Sequence, residues 1–212
     1  STNARFSGRI SVISSYFEDK RGTLIATIYD EDAESTIGAF WDYKEQITKV
    51  VFEDKILPKE TELSWDVSEE QNRSVMSYLV QNEEETYILY IQANDGILAN
   101  EDCSNLFLNF INLKTIEGLE YFDTRNVLNM NSMFADCHQL INIDLSTFDT
   151  HRVTDLIALF ANCMNLTNLD LSNFDTSNVT DMAAMFLNCL NLENLNISNF
   201  DTKNVTSMNE MF

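Results

Sequence analysis

Two sets of residues in this 212-residue sequence recur at intervals that bear on chemistry. Cys137, Cys163 and Cys189 fall 26 residues apart, with Cys103 upstream, and Asp123, Asp149, Asp175 and Asp201 keep the same 26-residue interval. Thiolates can ligate zinc or form disulfides, and paired carboxylates can act as general acid and base or bind calcium. His138 and His151 are the only histidines.

Neither ladder reads as a reactive site. Three thiolates in a line lack a converging fourth zinc ligand, and three cannot pair completely as disulfides. The cysteines therefore read as small buried apolar side chains, ahead of one disulfide or a zinc site. The aspartates recur in every unit, whereas a catalytic dyad needs two unlike environments. Calcium-binding repeats tend to place glycine between their acidic ligands, and no glycine follows Gly118. Asx-turn capping is preferred to calcium. The histidines read as exposed, with no nucleophile motif, phosphate loop or metal signature beside them. No catalytic, cofactor-binding or metal residue is assigned, and no cofactor is expected.

The interval comes from an internal repeat. Phe-Asp-Thr begins at Phe122, Phe148, Phe174 and Phe200, and Phe134, Phe160, Phe186 and Phe212 mark a second position. Within one unit, Leu166, Leu169 and Leu171 form the L-x-x-L-x-L pattern of a short strand, matched by Leu140, Ile143, Leu145 and by Leu192, Leu195, Ile197. Phe174 turns inward, Asp175 to Asn178 make a polar turn, and Val179, Met182, Met185 and Phe186 are spaced for a helical or 3₁₀ face. The predicted fold is an α+β solenoid. It is a leucine-rich-repeat-like right-handed coil with a parallel β-sheet and short helical or 3₁₀ turns, plus an N-terminal β-rich cap.

Upstream the register slips by one. Phe107, Phe110, Leu113 and Ile116 align with Phe134, Cys137, Leu140 and Ile143 at a distance of 27, so Phe110 takes the cysteine position. Phe40 to Gln46 suggests a helical turn, and Ile47, Val50 and Phe52 repeat the strand spacing. Glu69 to Val80 fits either a helix side or a strand; Tyr87 to Ile91 reads as a strand before a turn at Asn94-Asp95-Gly96. Arg9 to Phe17 and Thr23 to Tyr29 read as two strands. Residues 1–46 form the expected cap or small β module and 47–212 the solenoid, regular from about Phe107. An end at Phe212, inside a unit, implies either further repeats or an edge open to end-to-end contact. Trp41 and Trp65 read as packing residues.

Thirteen basic residues against thirty-four acidic ones give a net charge of −21, spread over both halves of the chain. Such a surface argues against nucleic acid or an anionic bilayer as the main partner. No stretch of eighteen apolar residues suggests a membrane span, and the first residues lack the pattern of a signal peptide.

The repeat text Leu169-Asp-Leu-Ser-Asn-Phe-Asp-Thr-Ser-Asn-Val-Thr-Asp-Met182, with Met185-Phe186 and Asn188-Cys189, resembles the BspA-like leucine-rich-repeat surface proteins of Gram-positive bacteria and mycoplasmas. The likeness extends upstream through Phe40 to Val51, Trp65 to Ser68 and Ile97 to Asn100; Phe110 and Asp155-Leu156 depart from the pattern, and the first 35 residues match nothing. The resemblance implies secretion and display at the cell surface or wall, with extracellular or host surface proteins as partners. The expected function is a non-catalytic binding or adhesion module. A structural spacer is the alternative and a hydrolytic enzyme the remote third. Candidate contact positions are those that vary between units: His138, Gln139, Ile141, Asn142, the His151-Arg152 pair and Lys203.

Overall fold

The computed structural model describes residues 21–30, 32 and 35–212. The strand expected over Arg9 to Phe17 lies outside the described residues.

The expected solenoid is not what the chain forms. The fold is β-rich and built from several small sheets, and its largest sheet is mixed rather than parallel. Its helical content among the described residues is two 3₁₀ segments, Ala39–Gln46 and Leu119–Tyr121.

β1 (Tyr29–Asp30) and β2 (Ser35–Thr36) make a two-stranded antiparallel pair. The 3₁₀ helix Ala39–Gln46 then runs directly into β3 (Ile47–Glu53). With β4 (Ser64–Asp66), β5 (Met76–Gln81), β6 (Tyr87–Gln92) and β8 (Thr115–Glu117), β3 builds a sheet in the order β4-β5-β6-β3-β8. β4-β5 and β5-β6 are antiparallel, while β3 runs parallel to both β6 and β8. Between β5 and β6 the turn is closed by Asn82, whose Oδ1 accepts the Glu84 and Thr86 N–H groups.

The spacing of Ile47, Val50 and Phe52 puts all three in the core, where Phe40 and Trp41 join them. Trp41 Nε1 donates to Leu106 O at 2.8 Å, which satisfies its one polar atom and ties the 3₁₀ helix to the first repeat. Gly118 lets the chain leave β8 closely beside β3: its φ is +77°, and a Cβ there would lie 2.1 Å from Phe52 O.

From Asp102 onward successive units pair in register, but sparsely. Single parallel bridges link Asp102–Asn129, Asn129–Asp155, Asp155–Asp181 and Asp181–Ser207. The L-x-x-L-x-L segments give only the three-residue pair β10 (Asn168–Asp170) and β11 (Asn194–Asn196), and one bridge at Asn142–Asn168. β7 (Ile97–Leu98) pairs in parallel with β9 (Phe122–Asp123).

The predicted helical face is replaced by consecutive turns, and the backbone angles show why. Ser132 and Asp136, Ala158 and Asn162, and Ala184 and Asn188 all have positive φ, between 51° and 60°. A left-handed residue at every fourth position cannot continue a right-handed helix. N–H groups point instead to the next unit, as in Phe134 N to Leu159 O (3.0 Å) and Phe160 N to Met185 O (2.9 Å). Phe107, Phe134, Phe160, Phe186 and Phe212 stack face to face with centroids 5.5–6.1 Å apart. One hydrophobic core extends from Leu24 to Met211. Among the described residues no helix is long and apolar enough to cross a membrane.

Candidate binding cleft

The polar turn after each inward phenylalanine is held by two devices. The aspartate Oδ1 accepts the N–H two residues on: from Arg125 for Asp123, His151 for Asp149, Ser177 for Asp175 and Lys203 for Asp201. These are the Asx turns expected of the aspartate ladder. The threonine that follows does more than the sequence suggests. Thr124 Oγ1 accepts the Asp149 N–H at 2.8 Å and donates to Asp149 O at 3.0 Å. Thr150 binds Asp175 in the same way, and Thr176 binds Asp201. All three threonines are buried, so each hydroxyl stands in for a rung of a β-ladder between neighbouring units.

That clamp fixes the turn carrying His151 and Arg152 onto the turn carrying Arg125. Beside them the chain forms a cleft of about 660 Å³, lined also by Arg21, Tyr121 and Asp123. Asp123 sits between two guanidinium groups: Arg21 Nη2 lies 2.8 Å and Arg125 Nη2 2.6 Å from its Oδ2. Burial opposes its ionisation, but the hydrogen bonds from Arg125 and Arg21 prevail and hold its carboxyl below the usual range. His151 Nδ1 is 2.6 Å from Asp149 Oδ1. Partial burial again opposes ionisation of Asp149, and the hydrogen bonds from His151 outweigh it. Arg152 reaches toward Asn126 Oδ1 at 3.5 Å and Glu101 at 3.8 Å. The Arg125 and Arg152 side chains stay 57% and 41% exposed.

The cleft lies where the repeated turn changes composition. In the regular units an asparagine follows the turn and donates to the unit before it, Asn178 to His151 O and Asn204 to Ser177 O, each at 2.7 Å. Arg152 replaces that asparagine, and the position of Ser177 is held by Arg125, His151 and Lys203 in the other three turns. Three of the four arginines among the described residues meet here; Arg73 is the other.

Residues 101–212, more than half of the chain, match the family described as Mycoplasma protein of unknown function, DUF285. The chain belongs to this family. The DUF285 segment supplies Asp123, Arg125, Asp149, His151 and Arg152, while Arg21, Asp95 and Gly96 come from outside it. No curated protein and no solved structure matches the chain.

Of the candidate contact positions, the structure brings only His151 and Arg152 into this cleft, where Asp123 and Asp149 of the aspartate ladder join them. His138 lies 3.6 Å from Asp136, and Lys203 pairs with Asp201 at 3.0 Å. Asn142 lines a separate shallow hollow with Asn168 and Asn194, whose amides bond along the repeat (Asn194 Nδ2 to Asn168 Oδ1, 2.7 Å). Ile141 is half exposed, and Gln139 pairs with Asn165 at 3.4 Å. Arg125 was legible as a departure from the repeat, but nothing in the sequence points to Arg21, which meets Asp123 across 102 residues.

The thiols are placed away from the cleft. Cys103, Cys137, Cys163 and Cys189 are free, and the last three donate to Phe107 O, Phe134 O and Phe160 O at 3.1–3.3 Å. Burial raises all four, that of Cys189 to about 11 and the others further. They are protonated donors at neutral pH, the opposite of an activated nucleophile. Among the described residues no group of three or more His, Cys, Asp or Glu is placed to hold a metal.

Proposed function

We propose that this chain is a non-catalytic protein-binding module displayed at the cell surface, and that it meets its partner through the cleft of Arg21, Arg125, His151 and Arg152. One observation carries the reading. In a chain of net charge −21, three arginines gather beside two successive turns, one of which carries Arg152 in place of the asparagine found at Asn126, Asn178 and Asn204. The clamp threonines Thr124 and Thr150 are kept in both turns, and the difference lies in the residues that follow them. Arg21 and Arg125, held by the one carboxylate of Asp123, are ordered before a partner arrives, which lowers the entropy lost on binding. The likeness of the repeat to BspA-like surface proteins supports display outside the cell.

The test is a binding screen of the immobilised chain against extracellular-matrix and cell-surface proteins, at low and high salt. A saturable partner whose affinity weakens with salt is expected. Absence of saturable binding at micromolar concentration across the panel would favour a spacer that holds other domains apart.

A further inference from the structure

We infer that residues 21–25 are a releasable strap that controls the cleft through Arg21; the consequence for a partner rests on the binding reading above. The segment lies as a short strand between two others. On one side Leu24 N–H donates to Leu98 O and Leu98 N–H to Gly22 O, each at 2.9 Å. On the other, Ile25 N–H donates to Val67 O at 2.8 Å and Glu69 N–H to Thr23 O at 2.9 Å. Thr23 is thereby in register with Leu98 on β7, and Leu98 with Asp123 on β9. Arg21, at the head of the strap, reaches past β7 and puts its Nη2 2.8 Å from Asp123 Oδ2.

The strap is held more lightly than the repeats. Leu24 is its fully buried apolar side chain, and Ile25 packs partly against the same core. Gly22 is pressed onto Ser74: a Cβ there would lie 2.6 Å from Ser74 Oγ and 2.7 Å from its carbonyl oxygen, so the seat accepts nothing larger. Such a unit is small enough to open on its own while the stacked phenylalanines and threonine clamps of the repeats stay closed. When the strap leaves, Arg21 leaves with it. Burial opposes ionisation of Asp123, and the hydrogen bonds from Arg125 and Arg21 hold its carboxyl low, so release alters the charge that Arg125 faces. The linkage is reciprocal: a partner that binds the cleft with Arg21 in place also holds the strap down.

The experiment is NMR-detected hydrogen exchange on the full chain, for the parent, Gly22→Val and Arg21→Gln. In the parent the amides of Leu24, Ile25, Glu69 and Leu98 should exchange with one common opening, about tenfold or more faster than those of Phe134 and Phe160. Gly22→Val should speed these four together by about tenfold, leave Phe134 and Phe160 unchanged, and shift the amides of Asp123 and Arg125. Arg21→Gln should speed the same four less and raise the pH at which the Asp123 carboxyl titrates; if Gly22→Val fails to fold, this variant decides alone. Exchange of the four only together with the repeat amides would overturn the inference. So would a strap opened by Gly22→Val with Asp123 and Arg125 unmoved, or an Arg21→Gln chain that exchanges and titrates like the parent. A screened partner that binds the parent and Arg21→Gln equally keeps the binding reading and removes the control. Coupled opening in a chain for which the screen finds no partner keeps the strap and loses that reading.

Discussion

At the scale of single residues, the recurring chemistry groups are stabilising parts of the repeat, and their protonation makes this measurable. The cysteines are held neutral by burial in the fold, whereas an unfolded thiol ionises near its ordinary value of 9.0. A group raised in the folded state stabilises below the unfolded value, and that stability is lost as pH rises through the folded one. Urea midpoints should therefore fall between pH 8 and pH 10, and should fall less in a Cys137→Ala/Cys163→Ala variant that starts out less stable. The aspartates behave in the opposite sense. Asp175 and Asp201 are lowered chiefly by hydrogen bonds from Ser177 and Lys203, so with Asp123 and Asp149 they support the fold above the usual carboxylate range and cease to do so in acid. Asp155 runs against them: burial raises it, reinforced by Asp181 and Asp102. The threonine clamp gives the sharpest residue-level outcome. Thr150→Val keeps the shape but leaves the Asp175 N–H and C=O without their partner, and should cost about 2 kcal/mol, with Thr150→Ser nearer the parent, by thermal or denaturant melting.

At the scale of elements, the close passage of β8 against β3 is the most demanding contact. Gly118→Ala would drive a methyl into the Phe52 carbonyl at a left-handed backbone position, and should destabilise the chain by about 3 kcal/mol in denaturant melts. The elements also show what the sequence carried and what it did not. The 26-residue period, the inward Phe, Leu, Met and Cys positions, β3 and β6 were legible because burial imposes a pattern on residue type. Strand length was not. Leu166, Leu169 and Leu171 specify which side chains face inward, but not how long the strand runs, and only Asn168–Asp170 is strand. The apolar spacing from Val179 to Phe186 suits a helix face as well as two successive turns. What decides between them is positive φ at Ala184 and Asn188, and alanine has no preference that would announce it. The cleft was half legible: His151, Arg152 and Arg125 break the repeat, while the contact with Arg21 is set by how the N-terminal segment docks at Leu98 and Ser68.

At the scale of the whole molecule, what holds the repeats together is distinct from what they present. Clamps, stacked phenylalanines and buried thiols recur from unit to unit, whereas the arginine cleft occurs once, where two successive turns change their surface residues. The most direct measurement compares the parent with a His151→Ser/Arg152→Asn variant, which restores the residues found at Ser177 and Asn178. Both proteins would be melted and titrated against a partner identified by the screen. The melting temperature should be unchanged or slightly higher and the affinity reduced about tenfold or more, since two contact side chains are removed without disturbing the clamp. Undiminished affinity in a variant that folds as well as the parent would contradict the assignment of this cleft as the binding surface.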